Sequence, residues 1–101
     1  MGSISTERLI GLWHSAETDE VTELLYRLIL ETLSPQQYEM LEYVQNCAAE
    51  GGWPTTTRIE AELDIKQKTA ATVLKQLYDW GLVGREQMMI EGGGSEYVYF
   101  A

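Results

Sequence analysis

Positive charge, cysteine and histidine are all scarce in this sequence. Seven lysine and arginine residues stand against sixteen acids in 101 residues, which gives a formal net charge of −9. A surface of this charge repels nucleic acid unless the positive residues are concentrated in one place. Cys47 is the only cysteine and His14 the only histidine, so an intramolecular disulfide and a histidine-rich metal site are both excluded.

Long apolar runs are absent as well. No stretch reaches the ~18 consecutive apolar residues of a membrane-spanning helix, and the first residues do not form the apolar core of a signal peptide. We therefore expect a cytoplasmic protein without a membrane partner. Apolar residues still make up 45% of the chain and include three tryptophans, which argues against disorder and favours one small folded core.

No group of residues has the pattern of a catalytic or cofactor site. The glycines Gly92–Gly94 precede a strand-like segment and not a helix, so they predict a turn rather than a phosphate-binding loop. The acids between Glu17 and Glu23 lie near a helix start, where the helix dipole favours them. Cys47 lies on an apolar helical face, which favours a buried structural thiol over a redox sensor. We expect no catalytic residues, no metal and no cofactor.

The N-terminal third is predicted to be helical. A short amphipathic segment runs from Ile4 to Trp13, and Thr18 is placed to cap a second helix that ends near Leu33. The apolar residues of this second helix cover more than one narrow stripe, which predicts burial on two sides. We therefore expect residues 1–33 to be a helical extension that joins two copies of the chain. The residues assigned to this dimerisation surface are Leu9, Leu12, Trp13, Val21, Leu24, Leu25, Leu28 and Ile29.

A third helix begins at Ser34 with a clear combination of signals. Pro35 occupies the first helical position and Gln37 the capping-box position, and Gly51–Gly52 end the helix. Residues 53–55 are expected to form a short strand. The buried face of the third helix is predicted to consist of Tyr38, Met40 or Leu41, Val44, Cys47 and Ala48.

The segment from Thr57 to Val83 predicts two short helices joined by a tight turn. The first helix is expected to run from about Arg58 to Leu63, with Thr57 and Glu60 spaced as a capping box. Leu63–Ile65 form the turn. This arrangement is typical of a helix-turn-helix, which favours nucleic acid as a partner before any other.

The second of these helices is expected to run from about Lys66 to Trp80. Gly81 ends it in a left-handed conformation, so that Leu82 folds back onto Leu77 as in a Schellman motif. One buried stripe is predicted, consisting of Ala70, Val73, Leu74 and Leu77. The opposite face collects Lys68, Ala71, Thr72, Lys75 and Asp79, flanked by Gln67 and Gln76.

The uneven distribution of charge is compatible with binding of nucleic acid at this second face. Residues 1–54 hold two arginines and nine acids, which gives −7, and residues 91–101 add two acids. Residues 55–90 balance five positive residues against five acids. Five of the seven positive residues therefore lie in and around the predicted helix-turn-helix. The remaining acidic surface disfavours nonspecific DNA binding.

The C-terminal residues predict a β-hairpin. The segments Val83–Ile90 and Glu96–Phe100 are expected to pair around a loop at residues 92–95. Acidic side chains predominate here, because only Arg85 is positive between residues 85 and 101. Glu91 and Glu96 would face phosphates unfavourably, so we expect the hairpin to add little to DNA affinity.

Together these segments resemble the winged helix-turn-helix transcription regulators, of the MarR or penicillinase-repressor kind. The resemblance covers about two thirds of the chain. The residues that carry it are Leu33–Tyr38, Ile59, Leu63, Ile65, Leu74, Leu77, Gly81–Val83, Arg85 and Tyr97–Phe100. It implies a mainly α fold with a small β-hairpin wing, a winged helix-turn-helix domain at residues 34–101, and sequence-specific binding of double-stranded DNA as a homodimer.

The resemblance also implies roles for individual residues. The second helix enters the major groove, where Gln67, Thr72 and Gln76 are candidate base readers; Arg58, Lys68 and Lys75 are candidate phosphate contacts. The full set assigned to DNA is Arg58, Gln67, Lys68, Thr69, Ala71, Thr72, Lys75, Gln76 and Arg85. Nothing in the sequence identifies an effector ligand.

The chain departs from the family pattern at three points, and these leave an alternative open. Lys66 stands where a Ser or Thr usually caps the second helix, so this helix starts differently or uses Asp64 as its cap. The wing lacks basic residues, and the family's long C-terminal dimerisation helix is absent. The alternative is a winged helix that binds a protein partner and no DNA, with Lys66, Lys68 and Lys75 forming an ordinary solvated face.

Overall fold

The computed structural model describes residues 5–101 as five α-helices followed by one β-hairpin. The elements are α1 (Thr6–His14), α2 (Asp19–Thr32), α3 (Pro35–Ala49), α4 (Thr56–Leu63), α5 (Gln67–Asp79), β1 (Gly84–Met89) and β2 (Ser95–Phe100). The predicted class, mainly helical with a small antiparallel hairpin, is confirmed. No helix within these residues combines the length and the apolar character that a bilayer crossing requires.

The chain divides into two compact units, the first ending at Tyr38 and the second running from Glu39 to Ala101. The sequence places the boundary between residues 33 and 34, at the start of α3. The first unit contains α1, α2 and the first turn of α3. The second contains the rest of α3, the helix pair α4 and α5, and the hairpin.

Side-chain caps begin both helices of the first unit. The hydroxyl of Ser5 accepts from the N–H of Arg8 at 3.3 Å, and the hydroxyl of Thr18 accepts from the N–H of Val21 at 3.3 Å. The cap at Thr18 is confirmed. The start predicted for the first helix, at Ile4, lies outside the described residues.

The buried residues of the first unit differ from those that the sequence assigns to a dimer surface. Leu9 and Ile29 are buried within the chain, so they do not belong to any exposed surface. The dimerisation set is corrected by removing these two. Ile10 is also buried although its role was not predicted, whereas Leu12 is largely exposed. A short helix has few apolar positions, and the packing partner decides which of them it covers.

The start and the end of α3 follow the prediction closely. The N–H of Ser34 donates to Oε1 of Gln37 at 2.8 Å and the N–H of Gln37 donates to Oγ of Ser34 at 3.2 Å, which is a complete capping box. The N–H of Gly52 donates to the carbonyl of Cys47 at 2.8 Å and closes the last turn. The thiol of Cys47 is free and buried, as expected. Tyr38 is 44% exposed, so its predicted place on the buried face is wrong.

The cap of α4 differs from the predicted capping box of Thr57 and Glu60. Thr55 is the N-cap, and its side chain accepts from the N–H of Arg58 at 3.1 Å. The N–H of Thr57 donates to Glu96 of β2 and not to Glu60. Three successive threonines offer three candidate caps, and the contact with β2 selects among them. Local spacing alone does not contain that information.

Asp64 ends α4 in the left-handed conformation, with φ 52° and ψ 50°. Aspartate adopts this conformation more readily than most residues other than glycine. The N–H of Ile65 then donates to the carbonyl of Glu60 at 3.1 Å, which completes the turn. Asp64 is therefore the C-cap of α4 and not the N-cap of α5. Lys66 occupies the N-cap of α5 without a side-chain hydrogen bond.

The end of α5 confirms the predicted glycine cap. Gly81 has φ 80°, and the N–H of Leu82 donates to the carbonyl of Leu77 at 3.0 Å, as a Schellman motif requires. Leu77 and Leu82 are both buried. Of the predicted stripe, Ala70 and Leu74 are also fully buried, and Val73 is half-buried.

The hairpin pairs β1 and β2 in antiparallel register, with Gly84 opposite Phe100 and Met89 opposite Ser95. The other edge of β2 meets the predicted strand at residues 53–55 through a single bridge, between Thr55 and Val98. The ring of Phe100 also contacts the ring of Trp53, with 4.9 Å between centroids. The predicted third strand is therefore shortened to one bridge, and β2 is the central strand.

Candidate nucleic-acid interface

The polar face of α5 is the exposed face of this helix. Its apolar stripe faces the core, so the residues on the other side of the helix lie in solvent. The exposed members of the set that the sequence assigns to DNA on this helix are Gln67, Lys68, Ala71, Thr72 and Lys75. Thr69 and Gln76 are half-buried and lie together on one margin of this face, beside Thr72. The residues on α5 are therefore brought together along one side, which spans about three turns.

Two of the exposed side chains are already engaged with neighbours on the same helix. Nζ of Lys75 lies 3.1 Å from Oδ2 of Asp79, an exposed pair that contributes only ~0.5 kcal/mol and opens easily. The hydroxyl of Thr72 donates to the carbonyl of Lys68 at 2.9 Å. Thr72 can therefore accept a hydrogen bond from a base but has no proton to donate. Gln67 remains the exposed side chain with both a donor and an acceptor.

Arg58 lies apart from the exposed face of α5. Nη1 of Arg58 lies next to Gly52, just after α3. The distance from this nitrogen to the position that a methyl group at Gly52 would occupy is 4.0 Å. Burial raises the pKa of the Tyr43 phenol, and the positive charge of Arg58 acts on this pKa in the opposite direction. The guanidinium is thus directed toward the C-terminal half of α3. The sequence groups Arg58 with the lysines of α5, and the structure does not.

Arg85 is held between two tyrosine rings. Its Cζ atom lies 4.1 Å from the ring centroid of Tyr78, at the end of α5, and 4.2 Å from that of Tyr97 on β2. Each contact of this kind contributes about 0.5–1 kcal/mol at a partly exposed site. Arg85 would lose both contacts if its side chain moved toward DNA. We therefore assign Arg85 to holding the hairpin against α5, in place of the DNA contact that the sequence suggests.

Glu96 connects the hairpin to the first turn of α4. Its Oε1 accepts from the N–H of Thr57 at 2.9 Å and from the hydroxyl of the same residue. These two hydrogen bonds hold the pKa of the Glu96 carboxyl below its usual value, and the bond from the Thr57 hydroxyl has the larger effect. The carboxylate also lies where the helix dipole favours a negative charge. Glu96 is therefore not a free charge directed at phosphates, as the sequence suggested.

A cleft of about 330 Å³ lies where α4, α5 and the hairpin meet. The residues that line it are Thr56, Thr57, Glu60, Gln67, Ala71, Ile90, Ser95, Glu96 and Tyr97. Two carboxylates on these walls disfavour a phosphate beside the first turn of α5. A phosphate backbone is better accommodated along the side of α5 that carries Lys68 and Lys75.

The sequence did not predict the two contacts that fix the hairpin. Arg85 lies between tyrosines that are seven and twelve positions away, and Glu96 bonds a residue 39 positions away. No periodic pattern predicts such pairs. The only local sign is the spacing of Tyr97 and Tyr99, which places both tyrosines on one face of β2. Arg85 lies on the paired strand β1, opposite Tyr99.

The chain has no match among known protein-family models, characterised proteins or solved structures. The assignment of a function therefore rests on the geometry and the chemistry of the residues themselves.

Proposed function

We propose that this protein is a winged helix-turn-helix transcriptional regulator that binds double-stranded DNA through α5. The observation that supports this most directly is the division of α5 into a buried apolar stripe, in which only Val73 is half-buried, and an exposed polar face. That face carries Lys68 and Lys75 on a chain with few positive residues. A helix of thirteen residues with one such face fits the major groove, which accommodates an α-helix.

In this proposal each exposed residue of α5 between Gln67 and Lys75 has a chemical role. Lys68 and Lys75 contact phosphates and release counterions, which supplies most of the affinity. Gln67 offers an amide donor and acceptor to a base edge. Thr72 offers its hydroxyl oxygen as an acceptor. The methyl group of Ala71 leaves room for close approach and can contact a thymine methyl.

The experiment that tests this proposal is a charge reversal on α5. Lys68→Glu combined with Lys75→Glu should weaken binding to duplexes from the DNA that flanks the gene by at least about tenfold, or ~1.4 kcal/mol. The plot of log affinity against log salt should also become shallower by about 1.8, because each neutralised phosphate contributes a slope of about −0.9. Stability should hardly change, because both side chains are exposed.

The matched control is Arg8→Glu combined with Arg27→Glu. Both arginines are exposed on the first two helices, and this double variant changes the net charge by the same amount without altering α5. It should keep nearly all of the affinity. The proposal is refuted if the unchanged protein binds none of these duplexes at low salt, or if the two double variants lose affinity equally while both keep the oligomeric state of the parent.

We also propose that the regulator is a homodimer that forms through the helices of its first unit. Operators for helix-turn-helix proteins commonly have two-fold symmetry, so a dimer binds two half-sites at once. The exposed apolar side chains of α1 and α2 supply the surface for such an interface. Among these are Leu12, Val21, Leu24 and Leu28.

The second candidate is a protein-interaction module. One observation favours it: the tip of the hairpin exposes apolar side chains at Met88, Met89 and Ile90, next to acidic residues that DNA would avoid. Exposed apolar patches commonly mark protein-binding surfaces. Both activities are compatible within one chain, because α5 and the tip of the hairpin offer different residues.

A further inference from the structure

The strand β1 has one open edge. On one side it pairs with β2 along its whole length. Within residues 5–101 no strand pairs with its other side, because the sheet consists of β1 and β2 and the additional bridge at Thr55 is to β2. An open edge presents unpaired N–H and C=O groups, which are a template for another strand.

The hydrogen-bond pattern identifies which backbone groups face this edge. When the register of β1 and β2 is continued by one residue, Ile90 lies opposite Gly94. The N–H of Ile90 donates to the carbonyl of Gly94 at 3.2 Å. Hydrogen-bonded pairs alternate along an antiparallel ladder, so Met88 and Glu86 also bond to β2. The backbone groups of Arg85, Gln87 and Met89 therefore point away from β2.

The other edge of β2 agrees with this alternation. Tyr99 lies opposite Arg85 in the register, and its N–H is turned away from β1, where it donates to the carbonyl of Pro54 at 3.0 Å. Arg85 and Tyr99 are thus a non-hydrogen-bonded pair. The outward direction of the N–H and C=O groups of Arg85 follows from the same register.

Apolar side chains surround the open edge on both faces of the hairpin. Met88 is 51% exposed, Met89 is 81% exposed and Ile90 is 44% exposed. Met88 and Met89 are neighbours in the strand, so their side chains point to opposite faces. An added strand would cover one methionine with each of its own faces.

The charges near the edge select the kind of strand that fits. Glu86 and Glu91 are exposed, whereas the guanidinium of Arg85 is held between its two tyrosine rings. The open edge is therefore acidic. A second copy paired along this edge would place its own Glu86 and Glu91 beside the same two acids. A cationic strand gains from the charges that would repel a copy.

We propose that the open edge of β1 binds an extended, cationic segment of another protein as an additional strand. The backbone of Arg85, Gln87 and Met89 supplies the hydrogen bonds. Basic side chains of the partner lie beside Glu86 and Glu91, and apolar side chains cover the exposed methionines. Strand addition of this kind obtains affinity from the backbone and specificity from alternate side chains.

The test uses two synthetic capped hexapeptides on the 101-residue protein, Lys-Thr-Val-Val-Thr-Lys and Glu-Thr-Val-Val-Thr-Glu. In either strand direction each can place its end residues beside Glu86 and Glu91 and its two valines beside Met88 and Met89. Backbone NMR spectra and amide exchange report on each residue. The cationic peptide should shift and protect the amides of Arg85, Gln87 and Met89 more than those of Glu86 and Met88. The acidic peptide should have at least about tenfold weaker affinity.

Two variants of Met89 separate backbone bonding from side-chain packing. Met89→Pro removes an outward N–H without removing a bond to β2, which an edge strand tolerates. This variant should bind the cationic peptide at least about tenfold more weakly than Met89→Ala, which keeps the N–H. Cross-strand NMR contacts between Met88 and Glu96 verify that the hairpin is intact.

A second pair of changes does not alter the backbone. Glu86→Lys with Glu91→Lys should reverse the preference, so that the acidic peptide binds more tightly than the cationic one. The proposal is overturned if both peptides bind the parent equally, or if neither shifts the amides of β1. Protection of these amides that rises with protein concentration in the absence of peptide would overturn it in favour of a second copy.

Discussion

At the scale of single residues, Gly84 is a glycine of the hairpin that leaves no room for a side chain. The ring of Phe100 covers this glycine across the strand pair and contacts Trp53. A methyl group at Gly84 would overlap the ring atoms Cε2 and Cζ of Phe100. Glycine is required here because of close approach, and not because of an unusual backbone conformation.

Gly84→Ala should therefore destabilise the fold. The methyl group forces Phe100 off Trp53, and overpacking of this kind costs about 1–3 kcal/mol. Urea denaturation measures the loss as a lower midpoint at constant slope. Combining the change with Phe100→Leu should recover part of the stability, because the smaller side chain removes the overlap.

Gly11→Ala is the matched control for this substitution. Gly11 is exposed within α1, and a methyl group there would meet nothing within 4 Å. Alanine is favoured over glycine in a helix by about 1 kcal/mol, so this variant should become more stable. If both alanine variants changed stability in the same direction, the steric explanation for Gly84 would be wrong.

At the scale of elements, local signals predict well where the partner atoms are close in sequence. The capping box of Ser34 and Gln37 lies within one turn, and so does the glycine cap at Gly81. Both were predicted because a short segment contains the donor and the acceptor. The cap of α4 was not, although Thr55 and Arg58 are equally close in sequence, because three successive threonines offer caps and Glu96 of another element takes the N–H of Thr57.

The same distinction divides the candidate site. The exposed face of α5 follows from the 3.6-residue period of Ala70, Leu74 and Leu77 on the opposite side. The position of Arg85 between two rings depends on how the hairpin packs against α5. Charge and spacing indicate that a residue is positive, but they do not indicate whether its charge faces solvent or a neighbouring ring.

The bond between Glu96 and Thr57 should make the stability depend on pH. The folded-state pKa of this carboxyl is lowered, so its contribution is present above the pKa of the unfolded chain and is lost as the pH falls through the folded value. At about pH 7, Glu96→Gln should cost ~1 kcal/mol. The difference between parent and variant should shrink as the pH falls through the lowered folded-state pKa of Glu96.

Denaturation of the two proteins across this pH range measures the effect, with Glu91→Gln as the control. Glu91 is exposed in the turn of the hairpin, so its substitution tests the loss of one acid without the loss of a bond. It should change stability by less than about 0.5 kcal/mol. A difference between parent and Glu96→Gln that stayed constant with pH would contradict the proposed role of the ionised carboxylate.

At the scale of the whole molecule, charge and apolar surface are distributed unequally. Residues 1–54 hold most of the negative charge, and residues 55–90 are neutral overall. The first unit nevertheless exposes large aliphatic side chains on α1 and α2. A groove of about 520 Å³ follows these side chains near the connection of the two helices, lined in part by Leu12, Val21 and Leu25. This combination favours a contact that is apolar at its centre and charged at its rim.

We expect the first unit to join two copies of the chain. Light scattering after gel filtration should give twice the mass of 11.5 kDa at micromolar concentration. Leu24, which is 58% exposed on α2, should lie within the interface. Leu24→Glu should convert the protein to a monomer because it buries an unpaired charge at the contact, whereas Met89→Glu on the hairpin should leave a dimer. A parent protein that elutes as a monomer would remove this interface, and an unchanged dimer in the Leu24 variant would relocate it.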